Sequence, residues 1–310
     1  MRIAANFSIP ELQQQLQTAI PKAQWLTLPS EGSVEPFEAD VLVTIPVGAN
    51  NLEQVIAAAN GLQWIHIFGT GADNFPINAA EDKILSCSRG ATAVAIAEWV
   101  LAMILSHDKR LPSSWISSPP AGWNFADLQC TQQQTLGVIG FGAIGQAIAK
   151  RALAFDMTVI AKVRQHRESP MEGVSLVEDL PTLLKQSDHI VLALPATPAS
   201  QHLIDTTAFT LMKPSAHLIN VARASVIDHQ ALQHALDHQQ LACASLDVTD
   251  PEPLPEGHWL YQHPKVRLSP HISWYSPSAL QQMSKVFVDN AVAFQQGQPL
   301  TGLIDTQAGY

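Results

Sequence analysis

The sequence predicts an α/β protein made of two doubly wound units, each a parallel sheet with helices on both faces. Three observations predict it. Short apolar runs alternate with helical patterns along nearly the whole chain, and strands alternating with helices produce parallel sheets. The runs fall into two sets, parted by a long apolar helical stretch and a loop rich in Pro and Ser. The length, 310 residues, lies near the size at which one core divides into two.

The first set of strands is RIAANF (2–7), QWLTL (24–28), VLVTI (41–45) and QWIHIF (63–68), with helical stretches such as NLEQVIAAAN (51–60) between them. The stretch ATAVAIAEWVLAMILSHDKR (91–110) is apolar nearly all round, so it reads as a helix buried between domains. The loop LPSSWISSPPAGWNF (111–125) follows. The second set is TLGVIG (135–140), MTVIAK (157–162), HIVLALP (189–195), AHLINVA (216–222), ACASLDV (242–248) and VRLSP (266–270). A last helix, SALQQMSKVFVDNAVAFQQG (278–297), stops at Gly297 and Pro299. It is expected to cross back to the first domain. The predicted domains are therefore 1–99 with 278–310, and 100–277 inserted between them.

Composition excludes several classes. Hydrophobic residues make up 46% and charged residues 14%, with a net charge of −10. That charge disfavours nucleic acid and anionic membrane as partners. No run reaches the roughly 18 apolar residues of a membrane span, and the N-terminus lacks the apolar core of a signal peptide. Cys87, Cys130 and Cys243 are far apart, with no CxxC pair. They read as reduced thiols of a cytoplasmic protein, not as zinc ligands or disulfides, and no metal site is expected. Most of the twelve histidines, among them His166, His229, His234 and His238, read as surface or helix residues.

The stretch TLGVIGFGAIGQAIAK (135–150) places Gly140, Gly142 and Gly145 between a strand and a small-residue helix. That context gives GxGxxG its meaning. Gly140 permits the tight turn, Gly142 lets backbone approach a pyrophosphate, and Gly145 lets helix pack on strand. The helix N-terminus then faces the phosphates. The next strand should end in an acid about 20 residues on, to hold the ribose hydroxyls of NAD. It ends IAKVRQHR, with Val163 at that position, Arg164 next, and Lys162 and Arg167 nearby. Arginine attracts a 2′-phosphate that a carboxylate would repel. NADP(H) is therefore the expected cofactor, with NAD(H) as the alternative.

Four polar residues follow apolar strands in the second set: Arg223 in INVARASVID (219–228), Asp247 and Glu252 in LDVTDPEPLP (246–255), and His271 in SPHISW (269–274). Ligands of doubly wound sheets sit beyond the carboxyl ends of the strands. Here the chain resembles the D-isomer-specific 2-hydroxyacid dehydrogenase family, in character the glyoxylate and hydroxypyruvate reductases. The resemblance covers about residues 40–300 and rests on the glycine loop, N-x-A-R-A-x-x-I-D, L-D-V-x-x-x-E-P-L and S-P-H. LPATPASQHLI (194–204) and GTGADNF (69–75) match weaker segments.

The resemblance implies two Rossmann-like domains, the nucleotide-binding one inserted into a discontinuous flavodoxin-like substrate domain. It implies hydride transfer between a nicotinamide and a small 2-keto acid in the cleft between them. His271 would be the general acid, a role suited to imidazole. Glu252 would orient its ring, and Arg223 would bind the substrate carboxylate and polarise the ketone. Asp247 would contact the cofactor near its nicotinamide ribose. Ala143, Ile144, Pro195, Thr197 and Val221 would join Gly140, Gly142, Gly145 and Arg164 in binding it. Substrate contacts would come from backbone at Val47 and Gly48, from Gly71, and from Trp274 closing the pocket. Arg89 would approach the substrate and Glu98 would cap or brace the domain junction, both outside the catalytic set.

One departure matters: the family usually has Gly after the catalytic Arg, and here it is Ala224. A positive φ there would strain Ala; the expectation is that the site tolerates it. The resemblance also implies a homodimer joined through the cofactor domains. Two other readings stay open, an NAD-linked D-lactate or phosphoglycerate dehydrogenase and a non-catalytic, NAD(P)-sensing corepressor-like protein. The intact Arg223, Glu252 and His271 favour catalysis over sensing.

Overall fold

A computed structural model describes residues 1–45, 51–72, 75–120, 122–123, 127–164 and 168–306. Contacts divide the chain into two units, Met1–Thr92 with Ser276–Tyr310, and Ala93–Tyr275, against domain ends at 99 and 277 expected from the sequence. The helical stretch at the first boundary falls whole into the second unit, as a rod that packs along its length does.

The first unit runs β1 (Arg2–Ala5), α1 (Pro10–Ala19), β2 (Gln24–Thr27), β3 (Phe37–Glu38), β4 (Val41–Thr44), α2 (Leu52–Ala58), β5 (Ala59–Asn60), β6 (Trp64–Ile67) and β7 (Ile84–Cys87), and closes with the C-terminal helix Pro277–Gln295. Five strands form a parallel sheet in the order β2-β1-β4-β6-β7. Leaving out the two-residue pair β3 and β5, this is the flavodoxin-like order. The inner strands β4 and β6 are buried along their whole length, while β2, at an edge, is mostly exposed.

The C-terminal helix groups with the first unit. Ser276 caps it, accepting a hydrogen bond from the Ala279 N–H at 3.0 Å, and Pro277 sits where its missing N–H is not needed. Gly297, at φ +67°, ends it. Met283, Phe287 and Ala291 share the buried face, and the Phe287 ring stacks on Trp64 at 5.6 Å.

The second unit runs α3 (Ala93–Asp108), β8 (Thr135–Ile139), α4 (Ala143–Leu153), β9 (Thr158–Lys162), β10 (Val174–Val177), α5 (Leu180–Gln186), β11 (His189–Leu192), α6 (Thr206–Leu211), β12 (His217–Asn220), α7 (His229–Asp237), β13 (Cys243–Leu246) and β14 (Val266–Leu268). Its seven strands are all parallel, in the order β10-β9-β8-β11-β12-β13-β14. The order turns back on itself between β8 and β11, which makes that crevice the switch point of a Rossmann-like sheet. Alternation along each strand feeds two cores. Ile190, Leu192 and Leu218 pack on one face with Leu183 and Leu232, and Val191 and Ile219 pack on the other with Ile96, Val100 and Ile148. Within this unit α3 buries a stripe of Ile96, Ala97, Val100, Leu101 and Ile104, and packs along α4. Its all-round apolarity does not mean all-round burial: Val94 is 50% exposed.

His229 and His234 lie on α7 and His238 is exposed at its end, while His166 lies outside the described residues; three histidines that the sequence reading did not single out, His66, His189 and His217, are buried on strands. His66 lies in the middle of β6, bonded to Ser86 at 2.9 Å and Ser88 at 3.1 Å, and burial pushes its imidazole down to about 3. His189 and His217 open the neighbouring strands β11 and β12. Their Nδ1 atoms face each other at 3.3 Å, with Gln134 Oε1 at 2.6 Å from His189 Nε2 and Ser245 Oγ at 2.8 Å from His217 Nε2. Among the described residues Cys87, Cys130 and Cys243 are free thiols, the first and last buried.

Candidate functional site

The glycine loop joins β8 to α4. Gly140 has φ +94°, a conformation that L side chains rarely adopt, and a Cβ there would collide with the Ala193 carbonyl just past β11. The Gly140 N–H donates to the Lys162 carbonyl at 3.0 Å, so the turn is tied to the end of β9. A Cβ on Gly145 would strike the Gly140 carbonyl, which is why helix and turn close only on glycine. At Gly142, by contrast, a Cβ would meet nothing within 4 Å. The space in front of Gly142 is therefore open, and the first turn of α4, starting Ala143–Ile144, points its unpaired N–H groups toward it. These residues fit a pyrophosphate: two glycines are demanded by protein packing, and the third leaves room where a ligand would lie.

Around this loop the other expected cofactor residues sit at strand ends. Arg164 is exposed, two residues past β9, and Val163 packs into the α3-side core. Arg167 lies outside the described residues. Pro195 and Thr197 form the turn after β11, where Ser200 Oγ donates to the Pro195 carbonyl and accepts from the Thr197 N–H, both at 2.8 Å. Val221 is buried just past β12.

Strand order explains how Arg223, Glu252 and His271 come from one sheet edge. They lie on loops that leave the carboxyl ends of β12, β13 and β14, three consecutive neighbours in register from Asn220 to Leu246 to Leu268. After β12, Asn220 folds its own loop. Its amide oxygen accepts from the Ala222 N–H and its amide N–H donates to the Arg223 carbonyl, both at 2.9 Å. Arg223 is half-buried and extended, with Nη1 donating to the Ala222 carbonyl at 2.7 Å. Ala224 is not at positive φ, so a methyl in place of the usual glycine costs no backbone strain.

His271 Nδ1 stands 2.8 Å from Glu252 Oε2, and Glu252 Oε1 accepts from the Thr249 N–H at 3.0 Å. The carboxylate thus bridges its own loop and the imidazole. His271 and Glu252 side chains are 39% and 41% exposed, and Nε2 of His271 has no partner among the described residues. A histidine held through Nδ1 with Nε2 open is arranged to give or take a proton there.

The residues expected beside this couple have other contacts. Asp247 is 1% exposed, and both its carboxylate oxygens are engaged by the loop that carries His271. Trp274, expected to close a pocket, packs in the α3-side core and donates its indole N–H to the His271 carbonyl at 3.0 Å. Gly71 is half-buried in the loop after β6, and Val47 and Gly48 lie outside the described residues. Arg89 donates to the Leu303 carbonyl at 3.2 Å, and Glu98 pairs with Arg151 at 3.2 Å. Asn220 and Ser269 were missed as supporting residues, although both stand inside the quoted motifs. No described helix is long and apolar enough to cross a membrane, and no metal-binding group of His, Cys, Asp or Glu occurs among the described residues.

Known proteins place this geometry. The family pattern described as D-isomer specific 2-hydroxyacid dehydrogenase, NAD binding domain, matches residues 101–273, more than half of the chain. A D-3-phosphoglycerate dehydrogenase of Methanocaldococcus jannaschii is 35% identical over 76% of this chain, which spans 45% of that longer protein. Glyoxylate/hydroxypyruvate reductase B of Pectobacterium atrosepticum is 33% identical over 76% of this chain and 77% of its own length. The crystal structure of a D-isomer specific 2-hydroxyacid dehydrogenase from Xanthobacter autotrophicus, in complex with NADPH and MES, matches with a TM-score of 0.87 at 25% identity, covering 100% of this chain and 99% of that one. With its glycine loop, its three motifs and these relatives, the chain belongs to the D-isomer specific 2-hydroxyacid dehydrogenase family of NAD(P)-dependent oxidoreductases.

Proposed function

We propose that the chain reduces a small 2-keto acid of the glyoxylate or hydroxypyruvate kind to the D-2-hydroxy acid, with NADPH as reductant. When bound, the nicotinamide supplies the hydride that the carbonyl carbon accepts. The chain supplies the rest. His271 Nε2 gives a proton to the carbonyl oxygen as it becomes an alcohol. Glu252 accepts from Nδ1–H and so fixes the ring with Nε2 turned away from it. Arg223 binds the substrate carboxylate through its fork of donors and draws electron density from the ketone. Oxidation reverses each role, with neutral His271 as base. The observation that carries this reading is the 2.8 Å contact between His271 Nδ1 and Glu252, with Nε2 unpartnered among the described residues.

The choice of NADPH rests on the end of β9, where Val163 and Arg164 stand in place of an acid. That observation disfavours an NAD-linked enzyme of the phosphoglycerate dehydrogenase kind, despite the 35% identity to one relative of that name. The reading includes a cytoplasmic homodimer joined through the units that hold the cofactor, on the family resemblance. The test is NADPH oxidation followed against a panel of 2-keto acids, with His271→Ala alongside. Loss of a general acid should slow turnover by about 10²–10⁴-fold, with nucleotide affinity kept. Turnover undiminished in His271→Ala removes the histidine from the mechanism. Tight NADPH binding without turnover on any acid favours a sensor.

A further inference from the structure

His271 is one of six non-glycine residues at positive φ among those described, at +54°. A residue in this sparsely populated region at a functional site persists only where its surroundings over-determine it. They do so here, and most of the restraints lead back to one side chain. Strand pairing between β13 and β14 continues past their ends: the Ser269 N–H donates to the Leu246 carbonyl at 3.0 Å, and the His271 N–H to the Asp247 carbonyl at 2.8 Å. Asp247 is thereby placed beneath the turn 269–273. Its Oδ1 accepts from Ser269 Oγ at 2.5 Å and from the Ile272 N–H at 2.9 Å, and its Oδ2 accepts from the Ser273 N–H at 2.9 Å. The residue on each side of the dipeptide Pro270–His271 is thus tied to the same buried carboxylate, and the Trp274 indole holds the His271 carbonyl from beyond.

We propose that Asp247 is a positioning residue for His271: its carboxylate clamps the turn 269–273 and so keeps the imidazole against Glu252 with Nε2 presented to substrate. This rests on reading His271 as the proton donor. It stands beside the cofactor contact expected from the sequence, since Oδ2 takes a single donor and has a lone pair to spare. An acceptor-only group suits the task. An amide would turn an N–H toward one of the clamped donors and open one side of the turn.

The test is a mutant cycle in the full chain: Asp247→Asn, Ser269→Ala, His271→Ala, and each of the first two combined with the third. A misplacement of about 1 Å costs on the order of 10²-fold in rate. Asp247→Asn should therefore lower kcat about 10- to 100-fold, with KM for glyoxylate held within about threefold. Combined with His271→Ala it should add nothing, since a residue acting through another has no effect once that other is gone. Ser269→Ala should show the same pattern at a smaller scale, and it decides the matter if Asp247→Asn does not fold. In the nucleotide-free protein, the imidazole NMR signal lost in His271→Ala should move in Asp247→Asn while other histidine signals stay. Weakened NADPH binding with kcat held, or losses that multiply in the double variants, overturn the proposal and leave the function standing. Full turnover in His271→Ala overturns both.

Discussion

Gly145 lies so close under Gly140 that a side chain on the first would strike the carbonyl oxygen of the second. Gly142, between them, faces open space. The same substitution should therefore have opposite signatures at the two positions. Gly→Ala in an open helix gains about 0.5–1 kcal/mol. At Gly145 the collision with backbone should reverse the sign and cost about 1–3 kcal/mol, as overpacking does, visible as a lower Tm without any ligand. Gly142→Ala should leave Tm nearly unchanged and weaken NADPH binding. A nucleotide Kd unaltered in Gly142→Ala sinks the assignment of that space to a pyrophosphate.

Arg164 and Val163 set a second prediction, on cofactor choice. A charge-assisted hydrogen bond contributes about 1.5–3 kcal/mol, so Arg164→Ala should reduce kcat/KM for NADPH roughly tenfold or more and change NADH little. Val163→Asp should move the preference toward NADH, since it restores an acid where ribose hydroxyls would lie. Equal losses for both cofactors in Arg164→Ala leave no role for a 2′-phosphate contact.

Glu252→Gln should separate orientation from charge. The amide oxygen can still accept one hydrogen bond, but Glu252 now accepts from Thr249 on one oxygen and serves His271 with the other. Turnover should fall by about 10²-fold or more, as when the partner of a catalytic histidine loses its charge, while NADPH affinity persists. Wild-type kcat in this variant rules out Glu252 as the partner that matters.

Acid should destabilise both units. Burial holds His66 down at about 3, and burial with repulsion from His189 and Arg267 holds His107 down at about 4; His217, wholly enclosed, is also pushed well below its ordinary value. Unfolded histidine titrates near 6.5. Each folded value is depressed, so below about pH 6.5 the unfolded chain takes up protons that the folded chain refuses. Stability from this source is whole above that pH and drains away as pH falls toward 4 and 3. Tm measured from pH 8 down to pH 4 should decline below about 6.5. His66→Asn should be less stable at pH 8 yet show a shallower decline for the unit that contains it; an unchanged slope removes His66 from the account.

Much of the fold was legible because its strands are short, buried runs and its helices carry caps. The ten strands read from apolar runs all exist. The strands that escaped notice, Ile84–Cys87 and Val174–Val177, are edge strands, where burial is incomplete and the apolar signal is broken by Ser86 and Ser175. The pairing of Phe37–Glu38 with Ala59–Asn60 is too short to leave any pattern. In the site, Arg223, Glu252 and His271 were picked out by their places in motifs that resemble the family's, since taken singly Arg223 and Glu252 read as surface residues. The sequence held no sign that Asp247 and Ser269 would bond to each other: that follows from β13 lying beside β14, a pairing between segments 22 residues apart. The three buried histidines went unmarked for a like reason. Their partners, Ser86, Ser245 and Gln134, sit on other segments, so nothing local marks them as satisfied.

The facing rings of His189 and His217 carry one more consequence. Gln134 offers an oxygen, so His189 presents Nε2–H to it and leaves Nδ1 bare; His217 must then point its own Nδ1–H inward and receive the serine hydroxyl on its far nitrogen. Every donor in the row aims the same way. Neither ring can swap tautomer alone: turning His189 sets two N–H groups head to head, and turning His217 sets two bare nitrogens there, so the row reverses together or not at all.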